Sequence, residues 1–330
     1  MDISALEEIL KKEPNYRIKQ VKKALFSDLI ESWQAISVLP LSLRKELEEK
    51  CPLEINSEAV FSKDKKTIKV LITLKDGLAV ESVLMRHQDK RNTVCLSSQI
   101  GCSVGCLFCA TGQMGFKRNL SAQEIIEQAL YFARYLKKEN AKISNIVFMG
   151  MGEPFLNYSE VLKAIEILND ENSFGLGARR ISISTVGITE GIIQLAKDQP
   201  QINLAVSLHA PNDELRTKLV PVGKKYTIEK IMTALDYYIK KTNRRVMFEY
   251  LMLEGINDDL KLAEDLTKIV KRPLCFVNLI SYNPAGNFKA SSNERIKKFQ
   301  EVLEKNGVVV TVRYRFGKEI KGACGQLAGR

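Results

Sequence analysis

The residues best equipped for chemistry are three cysteines crowded into one short loop, Cys102, Cys106 and Cys109, with three and then two residues between them. The stretch reads Cys102-Ser103-Val104-Gly105-Cys106-Leu107-Phe108-Cys109-Ala110-Thr111-Gly112-Gln113-Met114. A structural zinc site takes four protein ligands, and this loop offers no fourth Cys or His. The nearest candidate, Cys95, lies upstream in an expected strand. Iron–sulfur cubanes draw on cysteines this tightly spaced because one loop must reach several corners of one cluster. Three ligands on such a cluster leave one iron open, and an open iron is where a substrate or cofactor binds.

Other reactive side chains fall where strands are expected to end. Gly150-Met151-Gly152-Glu153-Pro154 follows an apolar run; its glycines admit a ligand close to the backbone, and Glu153 suits an ammonium group. Ser184, Ser207 and Asn283 carry small hydrogen-bonding groups suited to a ribose or an amino-acid carboxylate, or else to capping a helix. His209 is one of only two histidines, and nothing around it makes it a base. Cys324 stands in the small-residue tail Gly322-Ala323-Cys324-Gly325-Gln326-Leu327-Ala328-Gly329, which has little core to join and can reach into a site. Cys275 reads as core, and Cys51 has no context that assigns it.

The elements that must position these residues alternate along the chain. Residues 1–52 read as short helices, with Ile18, Val21 and Leu25 at helical spacing and Pro14 and Pro40 as punctuation. Thr67–Leu74 and Leu78–Leu84 flank Asp76-Gly77, a β-hairpin signal of the type I′ turn. From there strands are expected at Thr93–Ser97, Asn145–Met149, Arg180–Ser184, Ile202–Leu208, Val246–Leu253, Leu274–Ile280 and Val308–Tyr314, with amphipathic helices between them. Ser121 with Glu124, and Ser291 with Glu294, read as capping boxes, and Gly307 as the residue that ends a helix. Apolar strands alternating with helices predict an α/β fold of parallel strands buried on both faces, in an open sheet or a barrel. Such folds carry their chemistry at the carboxyl ends of the strands, where the residues above converge. The expected division is a helical module over 1–52, a linking hairpin over 53–87 and a catalytic core over 88–330.

Composition narrows the function. The 330 residues are 45% hydrophobic, enough for a sizeable core, and no run approaches the roughly 20 apolar residues of a membrane span. The start Met1-Asp2-Ile3-Ser4 has no basic-then-apolar signal, and seven cysteines, an odd number, argue against a disulfide framework. Both point to a reducing cytoplasm. A net charge of +11 fits a polyanionic partner whose phosphates it would neutralise, or a generally basic solvated surface. Basic doublets such as Lys22-Lys23, Arg179-Arg180 and Arg244-Arg245 spread this charge over the fold.

On these residues the chain resembles the RlmN/Cfr family of radical S-adenosylmethionine (SAM) RNA methyltransferases over nearly its whole length. The matching stretches are Cys95-Leu96-Ser97-Ser98-Gln99 with Gly101-Cys102, the cysteine loop through Gly112, Gly150 to Pro154, Ser207-Leu208-His209-Ala210-Pro211-Asn212, and Cys324-Gly325-Gln326-Leu327. The resemblance implies a partial (β/α)6 barrel with a small helical N-terminal domain. It implies that Cys102, Cys106 and Cys109 hold one [4Fe–4S] cluster whose open iron binds SAM, and that Gly152, Glu153, Ser184, Ser207, Leu208, His209 and Asn283 contact SAM. Cys324 would be methylated by a first SAM. A second SAM, cleaved at the reduced cluster, would yield the radical that takes hydrogen from that methyl group, so that the methylene adds to adenine C2. Cys95 would remove the C2 proton and release the product through a disulfide with Cys324. Glu81 matches the family's proton acceptor, although the stretch to Cys95 is one residue longer than the RlmN pattern. The implied partners are 23S rRNA, tRNA and a flavodoxin-type electron donor, and the implied state is a monomer. Proline after Glu153 is the RlmN form; the alternative is the Cfr-like activity at adenine C8. A rival from another class is a non-catalytic RNA-binding protein with structural metal.

Overall fold

A computed structural model describes residues 3–313 and 317–329. Among these residues there are twelve strands: β1 (Ser57–Phe61), β2 (Thr67–Thr73), β3 (Ala79–Arg86), β4 (Asn92–Leu96), β5 (Gln99–Gly101), β6 (Phe116–Asn119), β7 (Asn145–Phe148), β8 (Ile181–Thr185), β9 (Asn203–Ser207), β10 (Val246–Met252), β11 (Cys275–Ser281) and β12 (Val310–Val312). Ten of them make one sheet in the order β1-β2-β3-β4-β7-β8-β9-β10-β11-β12, while β5 and β6 form a separate ribbon. From β4 to β12 every neighbouring pair is parallel. A helix follows each of the first six parallel strands: Ala122–Lys137, Tyr158–Asn169, Thr189–Asp198, Ile228–Thr242, Leu260–Val270 and Asn293–Lys305. β12 does not return to pair with β4, so this is the open, partial (β/α)6 barrel with one further strand at its edge. The expected end of that last strand, Tyr314, lies outside the described residues.

The strands are buried on both faces, as crossover helices on a parallel sheet require. Tyr250, Met252 and Leu253 are fully buried, as are Ile125, Leu130 and Phe132 on the first covering helix. That helix opens with the expected capping box: Ser121 accepts from Glu124 N, and the Glu124 carboxylate accepts from Ser121 N. The last helix begins one residue later than read. Ser292, not Ser291, is its N-cap and accepts from Arg295 N, while Ser291 is buried. At its end Gly307 has a φ of +82°, and Val308 N donates to Leu303 O, the closing bond of a Schellman motif.

Antiparallel β1, β2 and β3 (residues 57–86) are hydrogen-bonded to the barrel sheet through β4. The β2–β3 turn is not type I′, because only Gly77 has a positive φ and Asp76 does not. Gly77 N donates to Leu74 O and Leu74 N to Leu78 O, a three-residue loop of the kind that ends in a left-handed glycine. Asp76 Oδ1 accepts from Leu78 N, which is what the aspartate contributes. Residues 3–50 carry short helices, Ile3–Leu10, Asn15–Lys22 and Leu41–Lys50, with a stretch of π-helix at Lys23–Ser27. Arg134 ties them to the barrel, donating to Leu53 O and Ile30 O.

Candidate active site

Beyond the carboxyl end of β4 the chain forms the short β5, and from there the cysteine loop turns back through the short helix Ala110–Gln113. Leu107 N donates to Leu219 O, which ties the loop to the segment after β9, and Cys102 N donates to Gly115 O, which closes the loop on itself. Cys106 is buried and Cys102 and Cys109 are partly exposed. Burial pushes the Cys102 thiol up to about 12 and Cys106 well above its ordinary value. These groups favour the neutral thiol unless a cation stands against them.

One cavity, of about 900 Å³ counting its open mouth, gathers residues from six strand ends. Cys102, Cys106 and Cys109 line it together with Gly152, Glu153, Ser184, Ser207, His209 and Cys324. Gly152 has a φ of +98°, and a β-carbon there would stand 2.6 Å from the Gln99 side chain. Gln99 Oε1 in turn accepts from Glu153 N. Glu153 Oε1 accepts from Phe155 N and Oε2 from Val186 N, which aims the carboxylate across the cavity wall. Burial nevertheless pushes Glu153 up to about 7, and among the described residues no cationic side chain offsets it.

His209 sits at a φ of +61° and its Nδ1 accepts from Leu251 N. The ring proton is therefore on Nε2, which is a donor. Burial, and then the charge of Arg216, lower His209 to about 3, so it is neutral and cannot serve as an acid near pH 7. The ring packs edge-on to Phe108 of the cysteine loop, centroids 4.8 Å apart.

A second, smaller cavity adjoins the first. Cys95, Met149, Ile280, Ser281, Asn283, Arg313, Cys324 and Leu327 line it, with Val83 and Met85 from β3. Met149, Ile280, Arg313 and Cys324 belong to both cavities, so Cys324 stands where the two meet. Asn283 is thus on the Cys95 side, and its buried Oδ1, like the Ser281 hydroxyl, has no hydrogen-bond partner among the described residues. Burial, and then the neighbouring Cys324, push Cys95 up to about 12. Leu208 is buried behind the wall, its N donating to Glu249 O. Glu81 lines neither cavity; its carboxylate is bound to the backbone of Ala328 and Gly329 and to Lys69.

Two residues that sequence reading passed over hold the site together. Glu249, buried in β10, accepts from Ser184 Oγ at 2.6 Å and is 3.3 Å from Ser207 Oγ. Arg313 donates to Glu249 Oε1 at 3.2 Å and to Met149 Sδ at 3.4 Å. Cys324, then Glu249 and Cys95, hold its guanidinium charged against burial. An acidic residue inside the apolar run Val246–Leu253 is the sequence signal for Glu249. Arg313 has none, since it is one basic residue among 50.

An open parallel barrel with a three-cysteine loop after its first parallel strand, facing a cavity built from the other strand ends, defines a radical SAM enzyme. The radical SAM superfamily pattern matches residues 96–266. The chain belongs to the RlmN family of radical SAM RNA methyltransferases. It is 45% identical to the ribosomal RNA large subunit methyltransferase N of Nitrosopumilus maritimus, over 94% of this chain and 92% of that protein. It is 44% identical to the probable dual-specificity RNA methyltransferase RlmN of Caldicellulosiruptor saccharolyticus, over 96% and 92% of the two chains. The crystal structure of a radical SAM methyltransferase from Sphaerobacter thermophilus superposes with a TM-score of 0.95 at 43% identity, covering 100% of this chain and 98% of that one.

The family uses a [4Fe–4S] cluster and SAM, and the residues present fit both. Three thiols face one cavity, and among the described residues no three Cys, His, Asp or Glu converge closely enough for a single metal ion. Glu153, lacking a cation, and the Ser184 and Ser207 hydroxyls complete a polar wall for an amino-acid and ribose ligand. Among the described residues no helix is long and apolar enough to cross a membrane.

Proposed function

We propose that this protein methylates C2 of an adenosine in 23S rRNA and in tRNA, with the methyl carbon carried on Cys324. The observation that carries this reading is the place of Cys324 at the junction of two cavities, one facing the three-cysteine loop and one facing Cys95. Adenine C2 is an electrophilic amidine carbon and the sulfonium methyl of SAM is electrophilic as well, so a polar transfer between them lacks a nucleophile. When bound, SAM and the cluster supply the methyl group and the one-electron chemistry that turns it into a carbon radical.

The remaining work falls to side chains of this chain. Cys324 Sγ takes the methyl group on the side of the larger cavity and presents it to the smaller one. Burial pushes the Cys324 thiol up, and Arg313, between Glu249 and the two thiols, opposes that shift in favour of the thiolate, the form that accepts a methyl group. The target base would enter between Cys324 and Cys95, against Met85 and Met149, with the unpartnered Ser281 hydroxyl and Asn283 carbonyl oxygen to read its edge. The adduct must lose one electron, which returns to the cluster. Cys95 removes the C2 proton, its sulfur then bonds to Cys324 Sγ as the S–CH2 bond breaks, and the freed carbon takes up a proton to become the methyl group. The net charge of +11 supplies the salt-dependent grip on RNA, and an adenine out of the stack is what a buried pair of thiols can reach.

The same wall arrangement argues for Cys102, Cys106 and Cys109 as cluster ligands and for Gly152, Glu153, Ser184, Ser207 and His209 as the SAM-contacting set. The test is an anaerobic assay with reductant, SAM and transcripts of rRNA and tRNA, followed by mass spectrometry of the digested nucleosides. The reading predicts 2-methyladenosine from both RNAs. Only 8-methyladenosine, or methylation of neither RNA, overturns it.

A further inference from the structure

The C-terminal residues that carry Cys324 lie as a strap across the barrel mouth, pinned at named points. Ala110 N donates to Gly325 O at 2.8 Å, and Thr111 Oγ1 to Leu327 O at 2.7 Å, both from the helix of the cysteine loop. Gln326 Nε2 donates to Pro284 O, beyond β11. The last pin comes from the other side of the sheet. Glu81 Oε2 accepts from Ala328 N at 2.6 Å and from Gly329 N at 3.1 Å.

Glu81 is 1% exposed, so its charge needs an internal partner. Lys69 Nζ supplies it, 2.5 Å from Oε1. The two residues sit diagonally on adjacent strands, since Lys69 pairs with Val83 and Leu71 with Glu81. Along β3, alternate residues share a face, which puts Glu81 in line with Val83 and Met85. Those two line the small cavity, as does Leu327 on the strap. Glu81 therefore stands one step past the rim of that cavity and closes it by holding the strap end. Oε2 takes both strap amides and Oε1 faces the Lys69 charge, and neither cavity includes the residue.

We infer that Glu81 is a positioning residue, the latch that fixes the strap and with it the Cys324 sulfur between the two cavities. This deepens the proposed RNA methylation and rests on it for its catalytic consequence. A latch needs an acceptor oxygen, whereas a proton acceptor needs a titratable carboxylate, and glutamine separates the two. The amide oxygen of Glu81→Gln can still accept from both strap amides; Glu81→Ala can accept from neither.

The experiment uses the cluster-loaded enzyme without oxygen, and reads hydrogen exchange at the Ala328 and Gly329 amides beside the rate of RNA methylation. Glu81→Ala is expected to speed exchange at least tenfold and to lower kcat at least tenfold. Glu81→Gln is expected to restore most of the protection and at least a third of the rate. A Gln variant as inactive as the Ala variant, with its strap amides protected as in the parent enzyme, would overturn the inference and make the carboxylate a base. Fast exchange in Glu81→Ala with unchanged methylation would overturn it equally. If the parent enzyme methylates no RNA, the functional reading falls alone, and exchange at the two amides still decides whether Glu81 holds the strap.

Discussion

The Arg313 guanidinium donates to the Glu249 carboxylate at 3.2 Å, and both side chains border the cavity that reaches from the three-cysteine loop to Cys324. Glu249 is 4% exposed and also accepts from Ser184. Removing one member of a partly buried, hydrogen-bonded pair leaves the other charge poorly compensated, at a cost of about 1–3 kcal/mol. Glu249→Leu is expected to lose that much unfolding free energy in urea, and Arg313→Met together with Glu249→Leu to recover part of it. Equal losses in the single and double variants would mean the pair is not coupled.

His209 makes a pH prediction. Its pKa is lowered to about 3 in the fold, against about 6.5 when unfolded. The unfolded chain therefore binds a proton that the folded chain refuses as pH falls below 6.5, and stability rises with pH across that window. The histidine alone costs about 2 kcal/mol between pH 7 and pH 5. His209→Asn, which tolerates the left-handed backbone, should show a shallower loss over this range. An unchanged slope would mean that His209 is charged in the fold.

Much of this arrangement is legible in the sequence, for physical reasons. The cysteine spacing and the apolar strands at Asn145–Phe148 and Val246–Met252 are local signals, and a parallel sheet places strand ends together. Sequence periodicity cannot show which of two adjoining cavities a strand-end residue faces, and so Asn283 falls beside Cys95. Nor could it show Glu81 against the strap, a contact 248 residues apart at its far end. β1 carries Val60 and Phe61 on an exposed edge, so it has no buried face to impose a period. The Asp-Gly turn misled because Asp76 spends its side chain on Leu78 N and leaves the positive φ to Gly77.

Glu153 should couple SAM binding to proton release. Burial pushes it up to about 7, and an ammonium group beside it would favour the ionised form. Calorimetry at pH 7 in buffers of different ionisation enthalpy is expected to show protons leaving on binding. Glu153→Gln should bind at least tenfold more weakly and release none from this position; the same release in that variant would assign it elsewhere.

Cluster removal gives a further check. With burial holding Cys102 and Cys106 as thiols, their loss of protons must accompany iron binding. Reconstitution with iron and sulfide should acidify weakly buffered solution, and Cys106→Ser should neither turn brown nor release the protons. A brown Cys106→Ser protein with full iron content would remove Cys106 from the ligand set.

The most direct measurement concerns Cys324 itself. The enzyme is incubated with methyl-deuterated SAM without oxygen, then digested with trypsin, and the peptide Gly322–Arg330 is weighed. The account predicts one labelled methyl group on Cys324, and its transfer as a methylene to RNA when reductant and transcript are added. RNA methylated with label by an enzyme whose Cys324 never carries a methyl group would contradict it.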